Sequence, residues 1–263
     1  MDIHKPKPWH GVRDFLKEYV IIVIGVLTAL AAEQAVVKLH SAHVIETAET
    51  AMRIELADDD GPQAFVRLAI TPCLRRDLDS LRAAIVQRVE PKTFGKLVDG
   101  YRPPVRSWDM DAWISTQSAG VGNMMGSRQL IRWADAYDFI PFLQVGANQE
   151  QDSLNRLART RYRTARWTPA TVSELSDIAD DLDTASNRMA ENSAIQLLHL
   201  KHDGVVLSPD ARRRLLVEAR REYGACVVVP DLAWVRAVPG SRGMTERDKQ
   251  DWRGIIGPPS GDR

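Results

Sequence analysis

Hydrophobic residues are massed once in this chain and periodic everywhere else. Residues 19–32 read Tyr-Val-Ile-Ile-Val-Ile-Gly-Val-Leu-Thr-Ala-Leu-Ala-Ala without a charge, and the next five add only Glu33 before Lys38. As a helix, residues 19–39 span about 31 Å at roughly 1.5 Å per residue. A bilayer's hydrocarbon core is about 30 Å thick, so the pattern predicts one transmembrane helix. Glu33 falls in its outer third, where a carboxylate reaches the headgroups or keeps its proton.

Past the span the apolar residues fall at helical spacing. Ile45, Ala48, Met52 and Leu56 form one stripe. The span is expected to run on through it and stop at Asp58-Asp59-Asp60-Gly61-Pro62. Leu74, Leu78, Leu81 and Ile85 form a second stripe. Thr71 and Pro72 either open that helix, as N-cap and first residue, or Pro72 kinks a longer helix that starts at Gln63. Residues 91–106, with three prolines and two glycines, read as an irregular connection. Asp109 is expected to cap a short helix with Trp113, and 120–126 is a glycine-rich loop. Ser127 is expected to cap a helix carrying Leu130, Trp133, Tyr137 and Ile140, which Pro141 ends or bends. A polar helix with Leu154, Leu157 and Tyr162 comes next. Thr168-Pro169 opens a long helix through Val172, Leu175, Leu182 and Met189, closed by Asp203-Gly204. Ser208-Pro209 opens the last, through Leu215, Leu216 and Ala219 to Tyr223-Gly224. Residues 226–229 are the strand candidate. The expected fold is all-α, one N-terminal transmembrane helix continuing into an irregular helical bundle. The organisation is a cytoplasmic segment 1–18, the span 19–39, an extracytoplasmic helical domain 40–237 and a flexible tail 238–263, where Pro, Gly and charge dominate.

Charge orients the span. Lys5, Lys7, Arg13 and Lys17 precede it; Lys38, then Glu46 and Glu49, follow. The positive-inside rule places the N-terminus in the cytoplasm and, in a bacterium, the domain in the periplasm. Trp9 and Tyr19 suit the inner interface. Two other readings compete. Ala29-Leu30-Ala31 resembles a signal-peptidase site, but the preceding segment is long and carries Asp14 and Glu18. A buried core helix of a soluble protein fits poorly with so one-sided a basic flank. Over the whole chain Lys+Arg and Asp+Glu are 35 each, so there is no basic excess to hold nucleic acid.

The stretches Lys7-Pro8-Trp9-His10-Gly11 and Phe15-Leu16-Lys17-Glu18-Tyr19, with the run ending Ala32-Glu33-Gln34-Ala35, resemble a group of single-pass proteins of Gram-negative bacteria. These share such an N-terminal anchor and have no established activity. The resemblance covers about the first 40 residues. It implies a membrane and envelope setting and brings no catalytic residues with it.

Candidate chemistry is sparse. Cys73 and Cys226 are the only cysteines. Each sits beside an expected helix end, and antiparallel packing could join them; export to an oxidising compartment favours a disulfide, and otherwise they are two buried thiols. His40 with His43, and His199 with His202, are spaced to share a helix face and so to chelate a metal. Headgroup contact and the helix dipole explain them equally well, and no third ligand has clear spacing. Gly25 and Ala29, one turn apart in the span, permit close helix contact and a homodimer. Arg156, Arg159, Arg161, Arg163 and Arg166, and Arg212, Arg213, Arg214, Arg220 and Arg221, could meet anionic headgroups or an acidic polymer. Pairing with Asp177, Asp180, Asp181 and Asp183 is the plainer expectation. Asp109 and Asp111 make no catalytic dyad by themselves. Gly120, Gly122 and Gly126 match neither a P-loop nor a dinucleotide fingerprint. No cofactor is implied. The expected role is a non-enzymatic, membrane-anchored envelope protein that binds another envelope protein or scaffolds a complex. The alternative is a helical domain that senses a small molecule or metal and signals through a partner.

Overall fold

The computed structural model describes residues 11–104, 107–160 and 166–230. Among them the fold is all-α, without a strand. The chain divides between Glu49 and Thr50 into two units. The segment before Gly11, Arg161, Tyr162, Arg163 and the tail from residue 238 lie outside the described residues.

The first unit is made by helix α1, Val12–Glu55, up to Glu49. This helix is long and apolar enough to cross a membrane, and none of its apolar window is buried. Val20, Ile21, Ile24, Leu27 and Leu30 all lie open. The backbone needs no outside help. Thr28 and Thr47 return their hydroxyls to the Ile24 and His43 carbonyls of their own helix, at 2.8 and 2.9 Å.

The second unit begins with the end of α1 and a π-helical turn, Leu56–Asp60, that leads straight into α2, Gly61–Gln87. The acidic Gly-Pro stretch therefore widens the helix instead of stopping it, contrary to the sequence expectation. Pro62 has no N–H to give, and one residue of extra width accommodates the loss. The Gly61 N–H closes the turn onto the Leu56 carbonyl. A Cβ at Gly61 would stand 3.0 Å from that oxygen, so any larger residue would have to push the turn apart by a few tenths of an ångström. Pro72 lies inside α2, which settles the two readings of Thr71-Pro72 in favour of one long helix. The Thr71 hydroxyl donates to the Arg67 carbonyl at 2.8 Å.

The remaining elements are α3 (Pro91–Gly100), α4 (Asp111–Ser118), a 3-10 turn (Val121–Asn123), α5 (Ser127–Asp138), α6 (Ile140–Thr160), α7 (Pro169–His202), α8 (Pro209–Tyr223) and a 3-10 turn (Gly224–Cys226). Four local expectations are corrected. Residues 91–100 form α3, because Phe94 and Val98, one turn apart, give it a buried stripe. The N-cap of α4 is Met110, not Asp109, and the N-cap of α5 is Gly126, with Ser127 already inside. Residues 226–229 form no strand. They have no strand to pair with, and Val228 instead donates its N–H to the Ala69 carbonyl on α2 at 3.1 Å.

The core lies along α2 and α7, with α6 against α7, α8 against α2, and α3 against α2 and α6. Leu74, Leu78, Leu81 and Ile85 of α2 meet Leu175, Ile178 and Leu182 of α7, Leu157 of α6 and Phe94 of α3. The sequence stripes of α2 and α7 are thus the two halves of one core. At Gly146 the backbone of α6 comes so close to α7 that a Cβ would strike the Met189 side chain.

Candidate functional site

Cys73 lies one residue past Pro72 on α2, and Cys226 just after α8. They stand at disulfide distance, with Cα atoms 5.2 Å apart across 153 residues of chain, inside the usual range for a bridge. The sequence-level pairing of these two residues is therefore met by the geometry.

The histidine pairs gather no metal centre: among the described residues, no group of three or more His, Cys, Asp or Glu could hold an ion. His40 and His43 lie on α1. His199 and His202 lie in the last turn of α7, where the helix dipole favours positive charge. His199 also stacks on Phe139, centroids 5.0 Å apart. Gly25 and Ala29 fall one turn apart on α1, and a Cβ at Gly25 would meet nothing within 4 Å. Of the arginine clusters, Arg156 pairs with Asp181 at 2.6 Å. Asp180 and Asp183 are taken by Arg82 of α2, at 2.7 and 3.0 Å. These are surface pairs of small energetic weight.

Three polar clusters inside the second unit carry more chemistry. In the first, the Arg67 guanidinium on α2 donates both its NH groups to the Glu150 carboxylate of α6, each at 2.8 Å. It also donates to the Ser186 hydroxyl and carbonyl on α7, at 2.8 and 3.1 Å. Tyr101, just past α3, donates its hydroxyl to Glu150 at 3.1 Å. All four residues are buried. Burial works against the Arg67 charge, but the adjoining Glu150 carboxylate outweighs it and the net shift is upward. Burial, then the Glu150 charge, pushes the Tyr101 phenol up as well. Both shifts favour the protonated forms of Arg67 and Tyr101. The cluster fastens α2, α6 and α7 to the segment just past α3.

The second cluster surrounds the π turn. Asp60 is fully buried, and neither carboxylate oxygen has a hydrogen-bond partner. Burial, then Glu55, Asp109 and Asp59, raises it to about 8. The Asp109 amide opposes the rise without reaching hydrogen-bond geometry. Glu55 itself accepts from the Tyr137 hydroxyl at 2.7 Å and from the Ala112 N–H at 2.8 Å. Tyr137 stacks on Trp113, centroids 5.5 Å apart.

The third cluster closes α7. Arg53 and Arg132 both lie over the Trp133 ring, at 5.3 and 5.8 Å, a cation–π arrangement. Arg53 donates to the Asp203 carbonyl at 3.1 Å, and Arg132 approaches the Asp203 carboxylate at 3.5 Å. Burial raises Asp203 to about 6, with Arg132 pulling the other way.

Sequence reasoning did not single out Arg67, Glu150, Tyr101 or Asp60. Arg67 had a signal: it is the one charge in Ala64-Phe65-Val66-Arg67-Leu68-Ala69-Ile70. Glu150 had none, because its neighbours Gln149, Gln151 and Asp152 read as surface. No family model, curated protein or solved structure matches this chain.

Proposed function

We propose that this chain is a single-pass inner-membrane protein of a bacterial envelope, with its N-terminus in the cytoplasm and its helical domain in the periplasm. The domain's role is non-enzymatic: it binds an envelope protein or scaffolds a complex. The observation that carries this reading is the apolar window of α1, long enough to cross a membrane and unburied. In water such a surface would drive aggregation; in a bilayer it is at its free-energy minimum. The basic residues ahead of the span supply the orientation, and the resemblance of the first 40 or so residues to envelope anchors agrees with it.

A binding role is favoured over catalysis by the state of the buried polar groups. The Arg67–Glu150–Tyr101–Ser186 cluster spends its hydrogen bonds within itself, with the Arg67 Nε left over. Among the described residues, two small cavities, one beside Leu56 and Leu200 and one beside Arg67 and Trp108, hold about 10 and about 20 Å³, room for a single water each; the larger depression along Pro72, Arg75 and Ala83 is an open surface groove. The test is made on the intact membrane form. A C-terminal reporter that works only outside the cytoplasm should be active, and in-cell crosslinking should capture a discrete envelope partner through the domain. A reporter active only in the cytoplasm would overturn the topology. A mature chain that starts near Ala32 would replace the anchor by a cleaved signal peptide.

A further inference from the structure

Asp60 has the least satisfied carboxylate of the three buried clusters, and its surroundings suit only one protonation state. It ends the π turn, is fully buried, and has no hydrogen-bond partner for either oxygen. The charged groups acting on it are Glu55 from the end of α1, Asp59 from the turn and Asp109 from the loop before α4, all carboxylates. The titratable group facing it from α5 is the Tyr137 phenol, which burial, then its hydrogen bond to Glu55 and the Glu55 charge, and last the Asp60 charge, all push upward. An anion here has neither counter-charge nor solvent, whereas a neutral acid needs only modest compensation. We propose that Asp60 is stored as a neutral acid and that the Leu56–Asp60 turn is a proton-gated joint, which opens when that proton is lost.

The step is a simple ionisation. The carboxyl O–H bond breaks, the proton goes to solvent, and the carboxylate must then reach water. The π turn is the element able to yield, because its wide ring is closed by a Gly61 N–H and is followed by a proline. Its opening moves Glu55, and with it the contacts that Glu55 makes to Ala112 and Tyr137. The Trp113–Tyr137 stack therefore reports the change. The physiological trigger, an alkaline exterior, rests on the periplasmic placement proposed above. The device itself is measured in purified protein and stands or falls separately.

The experiment titrates the intact chain in nanodiscs, with aspartate carboxyl carbons labelled for NMR and near-ultraviolet circular dichroism followed in parallel. One aspartate should titrate near 8, well apart from Asp203 near 6. The Trp113–Tyr137 signal should change reversibly with the same midpoint. In Asp60→Asn both transitions should vanish. In Asp109→Asn the midpoint should move down, since one neighbouring negative charge is removed. If Asp60→Asn does not fold, the wild-type titration and the Asp109→Asn shift decide alone. The proposal is overturned if every aspartate titrates at or below about 6. It is equally overturned if Asp60 titrates near 8 while the aromatic signal stays fixed, or if that signal still changes in Asp60→Asn.

Discussion

A guanidinium and a carboxylate taken out of water each lose several kcal/mol of hydration, and they recover it only when geometry is good and no hydrogen-bonding capacity is wasted. Arg67 and Glu150 nearly meet that condition: two parallel 2.8 Å bonds join them, Ser186 and Tyr101 take up the remainder, and only the Arg67 Nε is left over. Removing one partner leaves the other charge buried and alone. Glu150→Leu or Arg67→Met should each destabilise the domain by about 3–5 kcal/mol. The double replacement should restore most of that loss, since apolar side chains of similar volume tolerate such sites. Urea unfolding of the four forms measures the coupling, and additive losses would show that the pair does not act as a unit. Why this cluster was half-legible follows from the residues. A lone Arg within an apolar stripe declares itself as buried, but its partner lies 83 positions away. Nothing local distinguishes Glu150 from the exposed polar residues around it. Asp60 was hidden for another reason: three aspartates before Gly-Pro read as a solvated turn, and only tertiary packing separates the buried third from the exposed first two.

Three Ser/Thr-Pro pairs look alike in the sequence, and the elements treat them in two ways. Thr168 and Ser208 have extended backbone, and their hydroxyls accept from the N–H three residues on, at 3.1 Å in each case. Both are exposed caps with proline at the first helical position. Thr71 is fully buried, and its hydroxyl turns back to the Arg67 carbonyl. The difference lies in what precedes each pair. Before Thr71 the apolar residues Phe65, Leu68 and Ile70 stay buried along α2, so packing carries the helix past Pro72. Thr168→Ala and Ser208→Ala should each cost about 1 kcal/mol and should add, as read from thermal or denaturant midpoints; equal stability would show that the caps are redundant. α3 escaped sequence reading because two buried residues in one short helix make too faint a period among prolines and glycines. Helix α1, by contrast, was legible from Tyr19 to its end, though not in its first turns from Val12 nor in its unbroken passage into α2, and Gly25 gives it one testable face. Gly25→Ile should weaken self-association in a membrane two-hybrid assay, because a bulky side chain would hold the helices apart. An unchanged signal would remove that face as a dimer contact while leaving the anchor intact.

At the scale of the whole molecule, the last helix buries little of its own surface. Ala219 is its one buried residue, and its attachment includes Val227, half-buried Leu216 and Tyr223, the Tyr223 hydroxyl donating to the Arg102 carbonyl at 2.9 Å, and the Val228–Ala69 hydrogen bond. The Cys73–Cys226 pair fixes this end of the chain to α2. A bridge closing 153 residues restricts the unfolded chain by about 5 kcal/mol in the entropy model, comparable to the whole stability of a modest domain. Its formation depends on compartment, since a reducing cytoplasm would leave both thiols free. The disulfide and the topology are therefore linked, and one experiment reads both. Protein taken from the envelope should show no thiol labelling after unfolding unless reductant is added. The same chain expressed without its span, in the cytoplasm, should label at both cysteines. The Cys73→Ala/Cys226→Ala variant should lose several kcal/mol in denaturant unfolding, with α8 losing hydrogen-exchange protection relative to the bridged form because the bridge lies just past its C-terminal end. Both thiols labelling in the envelope form would refute the bridge, and with it the chemical argument that the domain is exported.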